Sequence, residues 1–246
     1  MAEYDNRVRS WGGAADAAAI DVGLRAYMLR VYNYMLLGLA LTGLTAWFTA
    51  STPAFAQLFF TFSARGYALS PLGWVVLLAP LGLVFLLGWR IQQMSFRTAQ
   101  AVFWGYAALM GIGLTPVLLL YTGASVAQVF FVTAATFGAM SLYGYTTKRD
   151  LSGFGSFLFM GLIGIIIASL VNMFLQSSMM QWVISVIGVL IFTGLTAYDT
   201  QRIKEMYYVG DDGTLVGKKA LMGALSLYLD FINLFLMLLR LMGDRR

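Results

Sequence analysis

Seven stretches of the chain are apolar over a helix-length run, at 31–50, 72–88, 99–121, 126–145, 154–174, 182–199 and 220–241, with short polar or charged segments between them. Runs near the ~20 residues needed to cross a bilayer read as membrane spans. The pattern predicts an all-α integral membrane protein, a bundle of seven transmembrane helices over residues 23–246. Ahead of it, residues 1–22 form a mixed-charge, Ala- and Gly-rich tail that is expected to be mobile. The connections YTGAS and QSSMMQ are short enough to force antiparallel neighbours, whereas 51–71 and 200–219 are long enough to carry surface structure.

The last stretch, ALMGALSLYLDFINLFLMLLRL, holds an acid in its middle. Asp230 would sit near the bilayer centre, where an aspartate costs about 2.5–3.5 kcal/mol to insert. Gly223, Ser226, Asp230 and Asn233 follow helical spacing and form one small or polar stripe, while Leu227, Leu229, Phe231, Ile232, Phe235 and Leu238 cover the other faces. The stripe must look into protein or water. Its cost roughly cancels the gain from the apolar residues, so this helix inserts only marginally alone and is expected at the centre of the bundle.

Composition narrows the class. The 246 residues are 60% hydrophobic and 11% charged, with a mean hydropathy of +0.77, far from a soluble domain. The net charge of +5 comes from sixteen bases scattered singly and in pairs between apolar runs, which is topological marking rather than a nucleic-acid surface. Twelve of them (Arg7, Arg9, Arg25, Arg30, Arg90, Arg97, Lys148, Arg149, Arg202, Lys204, Lys218, Lys219) fall on one face and four (Arg65, Arg240, Arg245, Arg246) on the other. The excess assigns the N-terminus to the cytoplasm and the C-terminus to the far face. The three bases at the C-terminal end also suit an alternative in which the last segment is re-entrant. The N-terminus lacks the apolar core of a cleavable signal, so the first run is read as a retained span.

Pro80 and Pro116 are expected to kink the second and third spans. Gly138 with Ala134, and Gly161 with Gly164, are expected to let helices approach closely. The pentapeptide TGLTA occurs at 42–46 and 193–197, in spans of opposite direction, as an inverted repeat would have it.

With no Cys and no His, thiol chemistry, imidazole bases and His-based metal sites are excluded, and no cofactor is expected. Only two of eleven acids, Asp199 and Asp230, belong to spans, and intramembrane acids are functional candidates. Asp199, in LTAYDTQRI, is either half of a pair with Asp230 or an interfacial acid paired with Arg202 one turn on. Two carboxylates close together would share a proton and titrate as one unit. Deprotonated, they offer hard oxygen ligands suited to transient Ca²⁺ binding, with Ser226, Asn233, carbonyls and water completing the shell. Arg90, ending the second span on the side of Asp199, is either the cation that holds a carboxylate or a snorkelling topology marker. On straight helices the two acids differ in depth by roughly 10 Å.

Several motifs occur in one order: LRAYMLRVYNYM before the first span, TAATFGAMSLYGYTTKRDLSGFGSFLFMGLIGIIIASLVNMF, AYDTQRI and ALSLYLDFINLFLMLLR. In these the chain resembles a bacterial member of the Bax inhibitor-1, or transmembrane Bax inhibitor motif, family over nearly everything after residue 23. The resemblance implies a seven-helix bundle with a central last helix and a pH-sensitive Ca²⁺ leak of the bacterial inner membrane rather than an enzyme. It implies that Asp199 and Asp230 form a dyad, with Arg90 as latch, and that a membrane-bound AAA protease is a partner. Two alternatives stand beside it: a non-conducting regulator of a protease or channel, and a di-aspartyl intramembrane protease. Against the latter, Leu227, Tyr228 and Leu229 precede Asp230 in place of Gly-x-Gly, and no proline begins Pro-Ala-Leu.

Overall fold

The computed structural model describes the backbone of residues 2–63 and 66–246 and the side chains of 21–61 and 68–246. Nearly all the tail read at 1–22, with Arg7 and Arg9, and also Arg65, therefore lie outside the described side chains. Among the described residues seven helical stretches are long and apolar enough to cross a membrane. The first is Asp21–Ser51 of α1 (Ala2–Ser51). The connection after it folds as α2 (Pro53–Phe59) and an antiparallel hairpin of β1 (Phe60–Ser63) and β2 (Gly66–Leu69), with Phe60 opposite Leu69. Then follow α3 (Pro71–Arg90), α4 (Phe96–Gly113) with α5 (Thr115–Leu120), α6 (Gly123–Thr146), α7 (Ser152–Leu175), α8 (Ser178–Glu205) and α9 (Gly213–Met242).

The first backbone N–H groups of a helix lack partners within it, and lipid supplies none. Here side chains do so. Ser70 Oγ accepts from Gly73 N (3.0 Å), Ser95 Oγ from Thr98 N (3.1 Å), Thr122 Oγ1 from Ser125 N (3.3 Å), Ser177 Oγ from Met180 N (3.3 Å) and Asp212 Oδ1 from Leu215 N (2.6 Å). Five of the seven spans thus begin on a cap. The third span breaks where Pro116 predicts: α4 ends at Gly113, Leu114 N donates to the Met110 and Gly111 carbonyls, and Pro116 sits in the first turn of α5. Through Pro80, by contrast, α3 continues as one helix from Pro71 to Arg90.

The spans are longer than their apolar runs, because the ends are capped and pinned rather than set by hydropathy. α9 lies against α1, α4, α6 and α8, and 72% of its most apolar stretch is buried. α7 packs on α8, and only 11% of its stretch is buried. α3 packs on α4 at the edge. A cluster of two hydroxyls and two carbonyls fixes the centre: Thr42 Oγ1 lies 2.9 Å from the carbonyl oxygens of Gly38 and Ala107 and 2.7 Å from Tyr228 Oη, which ties α1 to α4 and α9.

Two of the glycines read as packing positions are not. A Cβ on Gly138 or Gly164 would meet nothing within 4 Å, whereas one on Gly161 would meet the Ile191 side chain. Tight approach is made instead at Gly144, where a Cβ would run into the Ala197 carbonyl, and at Gly155, where it would strike the Tyr198 ring.

One face carries polar clasps between connections. The Gln201 amide accepts from Leu151 N (2.8 Å) and donates to Arg149 O (2.8 Å); Lys204 Nζ donates to Tyr145 O (2.9 Å) and Lys218 Nζ to Gln92 O (3.0 Å). In the same region Lys219 Nζ meets Met206 O (2.9 Å) and the Asp211 carboxylate. On the opposite face the tail after α9 is clipped to the α5–α6 turn: Asp244 O accepts from Thr122 N (3.0 Å), Leu120 O from Arg246 N (2.9 Å) and Ser125 Oγ from Asp244 N (2.9 Å). α9 is unbroken over 30 residues, about 45 Å at ~1.5 Å per residue. The last segment therefore crosses to the other face, and the re-entrant alternative is corrected.

Two outcomes follow. Reporter fusions placed after Lys148 and after Arg246 should read opposite faces of the membrane; the same face for both would contradict the crossing of α9. Gly144→Leu should destabilise the bundle by about 1–3 kcal/mol through overpacking, whereas Gly164→Ala should be neutral or slightly stabilising, as judged by unfolding midpoints in detergent.

Candidate functional site

α8 ends its apolar run at Asp199, and α9 carries Asp230 on the stripe described above. The two helices cross closely, with Gly223 against Ile203 and Gly188 against Met237. These contacts set their register. From the Ile203–Gly223 level, Asp199 lies four residues inward along α8 and Asp230 seven inward along α9, so their depths differ by about 5 Å at ~1.5 Å per residue. The larger mismatch expected from the flanking bases is halved because α9 starts at Gly213, ahead of its apolar run. Its first turns lie beneath the α3–α4 connection, with Lys218 on Gln92 O and Gly217 against Phe96.

Between α7, α8 and α9 lies a cavity of about 1100 Å³, lined by Asp199, Asp230, Ser226 and Asn233 together. Asp230 is 5% exposed, and its Oδ2 has no hydrogen-bond partner among the described residues. Asp199 is half-buried. Asn233 Nδ2 donates to Leu229 O (2.8 Å), which commits the amide donor to its own helix. A smaller cavity of about 370 Å³ shares Ser169, Met173 and Arg240 with the first and adds Asn172, Gln176 and Gln181, extending the polar lining toward the α7–α8 turn.

Two expectations change. Arg90 does not reach the carboxylates: it is exposed at the end of α3, its Nε donates to Gln93 Oε1 (3.3 Å), and it is absent from the cavity lining. The physical reason is placement, since α4 stands between α3 and α9. The interfacial pairing of Asp199 with Arg202 does not form either. Both line the cavity, but among the described residues the one side-chain ion pair is Lys219 with Asp211.

The arginines that do line the cavity are Arg202 and Arg240. Arg240 had been legible only as a flanking base, although it continues the 226–230–233 stripe by a further two turns. Ser169 and Asn172 of α7 and Gln176 just past its end form a similar polar series, set among apolar neighbours that hide it in the sequence.

Among the described residues no three acids gather as a dedicated metal site. Two carboxylates with the Ser226 hydroxyl, the Asn233 amide oxygen and water form a sparse oxygen set. Such a set is of the hard-oxygen type that divalent cations favour.

A polytopic all-α protein with two carboxylates opening into one cavity between its last three helices is a distinct class of membrane bundle. This chain belongs to the Bax inhibitor-1 family, whose sequence model, described as inhibitor of apoptosis-promoting Bax1, matches residues 24–246. It is similar to the inner membrane protein YbhL of Escherichia coli, at 50% identity over 226 residues that cover 91% of this chain and 94% of that protein. A protein of Rickettsia prowazekii is likewise 50% identical over 226 residues, covering 92% of each chain, and one of Caulobacter vibrioides is 49% identical over 230 residues, covering 93% of this chain and 92% of its own.

Because Asp230 Oδ2 has no donor to lose, Asp230→Asn should unfold in detergent at the same temperature as wild type or higher. A loss of about 2 kcal/mol or more, the cost of breaking a buried charge or hydrogen-bond network, would make Asp230 a structural acid.

Proposed function

We propose that this protein carries a pH-sensitive Ca²⁺ leak across the bacterial inner membrane, with Asp199 and Asp230 acting as one proton-sharing, cation-binding unit. The observation that carries this is the common cavity of the two acids: they come from different helices and line one space, largely apolar around them, whose lining continues toward the far face. In surroundings of low dielectric, two neighbouring carboxylates do not ionise independently, so protonation and cation occupancy compete for the same oxygens. Proton binding therefore weakens the cation site. Ser226 and Asn233 supply neutral oxygens beside it. Arg202 and Arg240, the cations along this cavity, take the counter-charge role that the resemblance would give to Arg90.

The N-terminus is assigned to the cytoplasm by the excess of bases on its face, and the inner membrane by likeness to YbhL. No hydrolytic step is proposed. A membrane-bound AAA protease, as a partner, would meet the base-rich face.

The test is Ca²⁺ flux into liposomes as a function of pH for wild type, Asp199→Asn, Asp230→Asn, the double variant and Arg90→Ala. Each single Asn change should remove most of the pH dependence and the double change should add little, because groups that act as a unit give non-additive losses. Arg90→Ala should keep the wild-type profile. Additive single effects would dissolve the dyad, and absence of flux at every pH would turn the assignment to a non-conducting regulator.

A further inference from the structure

A second cavity, of about 620 Å³, opens on the other side of α9. α1 packs on α4, α5 and α9 and α6 on α8 and α9, and the two helices leave a groove between them whose floor is Phe231 of α9. Its walls are apolar: Met28, Leu29, Met35 and Leu36 from α1 face Phe137 and Leu142 from α6. Gly138 lines it with open space where a Cβ would stand, so this glycine keeps the groove clear instead of drawing a helix in. The volume lies within the ~300–1,000 Å³ of ordinary small-molecule sites.

Charge is confined to one end. Arg25 lines the groove on the base-rich face, where Tyr145 also contributes, and Tyr32 lines it two turns further in. Arg25 is exposed and makes no hydrogen bond or ion pair among the described residues, and Asp21, one turn earlier, does not pair with it. At Tyr145, Lys204 Nζ lies 5.4 Å from the ring centroid while donating to the Tyr145 carbonyl. An apolar slot in a membrane protein, with a guanidinium at its lip that has no partner among the described residues, complements an amphiphile with an acyl chain and an anionic head.

We infer that the α1–α6 groove is a binding site for one anionic phospholipid of the leaflet on the base-rich face, its phosphate on Arg25 and an acyl chain along Met28, Met35, Gly138 and Phe231. The site is separate from the carboxylate cavity, which opens between α7, α8 and α9.

The full-length protein in detergent, incubated with equal amounts of phosphatidylglycerol and phosphatidylcholine of identical chains, would be examined by native mass spectrometry. One phosphatidylglycerol per chain should be retained roughly fivefold over phosphatidylcholine, the preference that one basic side chain near an anionic headgroup confers at ~1 kcal/mol. Arg25→Gln should abolish the preference yet keep chain-driven retention of both lipids, and Gly138→Leu should lower retention of both. Ala134→Leu serves as a second filling variant, and each variant is accepted only if its lipid-free unfolding midpoint matches wild type. Equal retention of the two lipids by wild type, a preference that survives Arg25→Gln, or undiminished retention in both filling variants would overturn the site. So would a cross-linked pair of chains whose formation the filling variants prevent, because the groove would then be a contact between copies. Asp230→Asn should leave lipid retention unchanged, so failure of the Ca²⁺ assignment and failure of this site are told apart.

Discussion

Asp230 sits where an ionisable group is expensive, and the rest of the bundle is arranged around that cost. A helix bearing Asp230 and Asn233 gains little by facing lipid, so its stability comes from burial against α1, α4, α6 and α8. The close approaches at Gly223 and Gly188 follow from this need, because α8 comes near α9 with only one side chain, Ile203 or Met237, filling each contact. So does the hydroxyl bridge at Thr42 and Tyr228, which fixes the opposite side of α9 through hydrogen bonds worth more than their number suggests in a medium that offers no water.

The seven spans, some surface structure before α3 and the break at Pro116 were legible because each rests on local physics: a run of apolar residues, a connection too long to be a turn, an imide that cannot donate. The meeting of Asp199 and Asp230 was legible as a possibility. Its depth problem was not soluble from sequence, because hydropathy marks where lipid begins and not where a helix begins, and α9 starts at Gly213 under an Asp212 cap. Of the two readings of Arg90, the latch is the one its placement does not support, and Gly138 as a packing position fails for a common reason. Both have the right residue type at the right distance along the chain, but whether a helix end or a small face meets a partner depends on which helices are neighbours. Only the placement of α3 behind α4, and the separation of α1 from α6, decide that.

α9 divides two different environments. On one side its polar stripe lines a cavity with acids and arginines; on the other Phe231 floors an apolar groove whose charged lining residue, among the described residues, is Arg25. Asp230 and Phe231 are adjacent in sequence, so the helix that presents the carboxylate to one cavity necessarily presents the aromatic ring to the other. Any rotation of α9 would alter both at once.

The central position of α9 also bears on how the molecule is made. The span that four neighbours enclose is synthesised after all of them, and on its own it inserts only marginally. The earlier spans must therefore hold a vacant slot in the bilayer, its walls formed by faces of α1, α4, α6 and α8 that later become interior. Until α9 arrives those faces are solvated by acyl chains, which it must displace. Assembly is thus completed in a single late step, and a substitution that makes α9 less apolar would be felt first as a failure of biogenesis, with an incomplete six-span chain left to quality control, before any change in what the finished protein does.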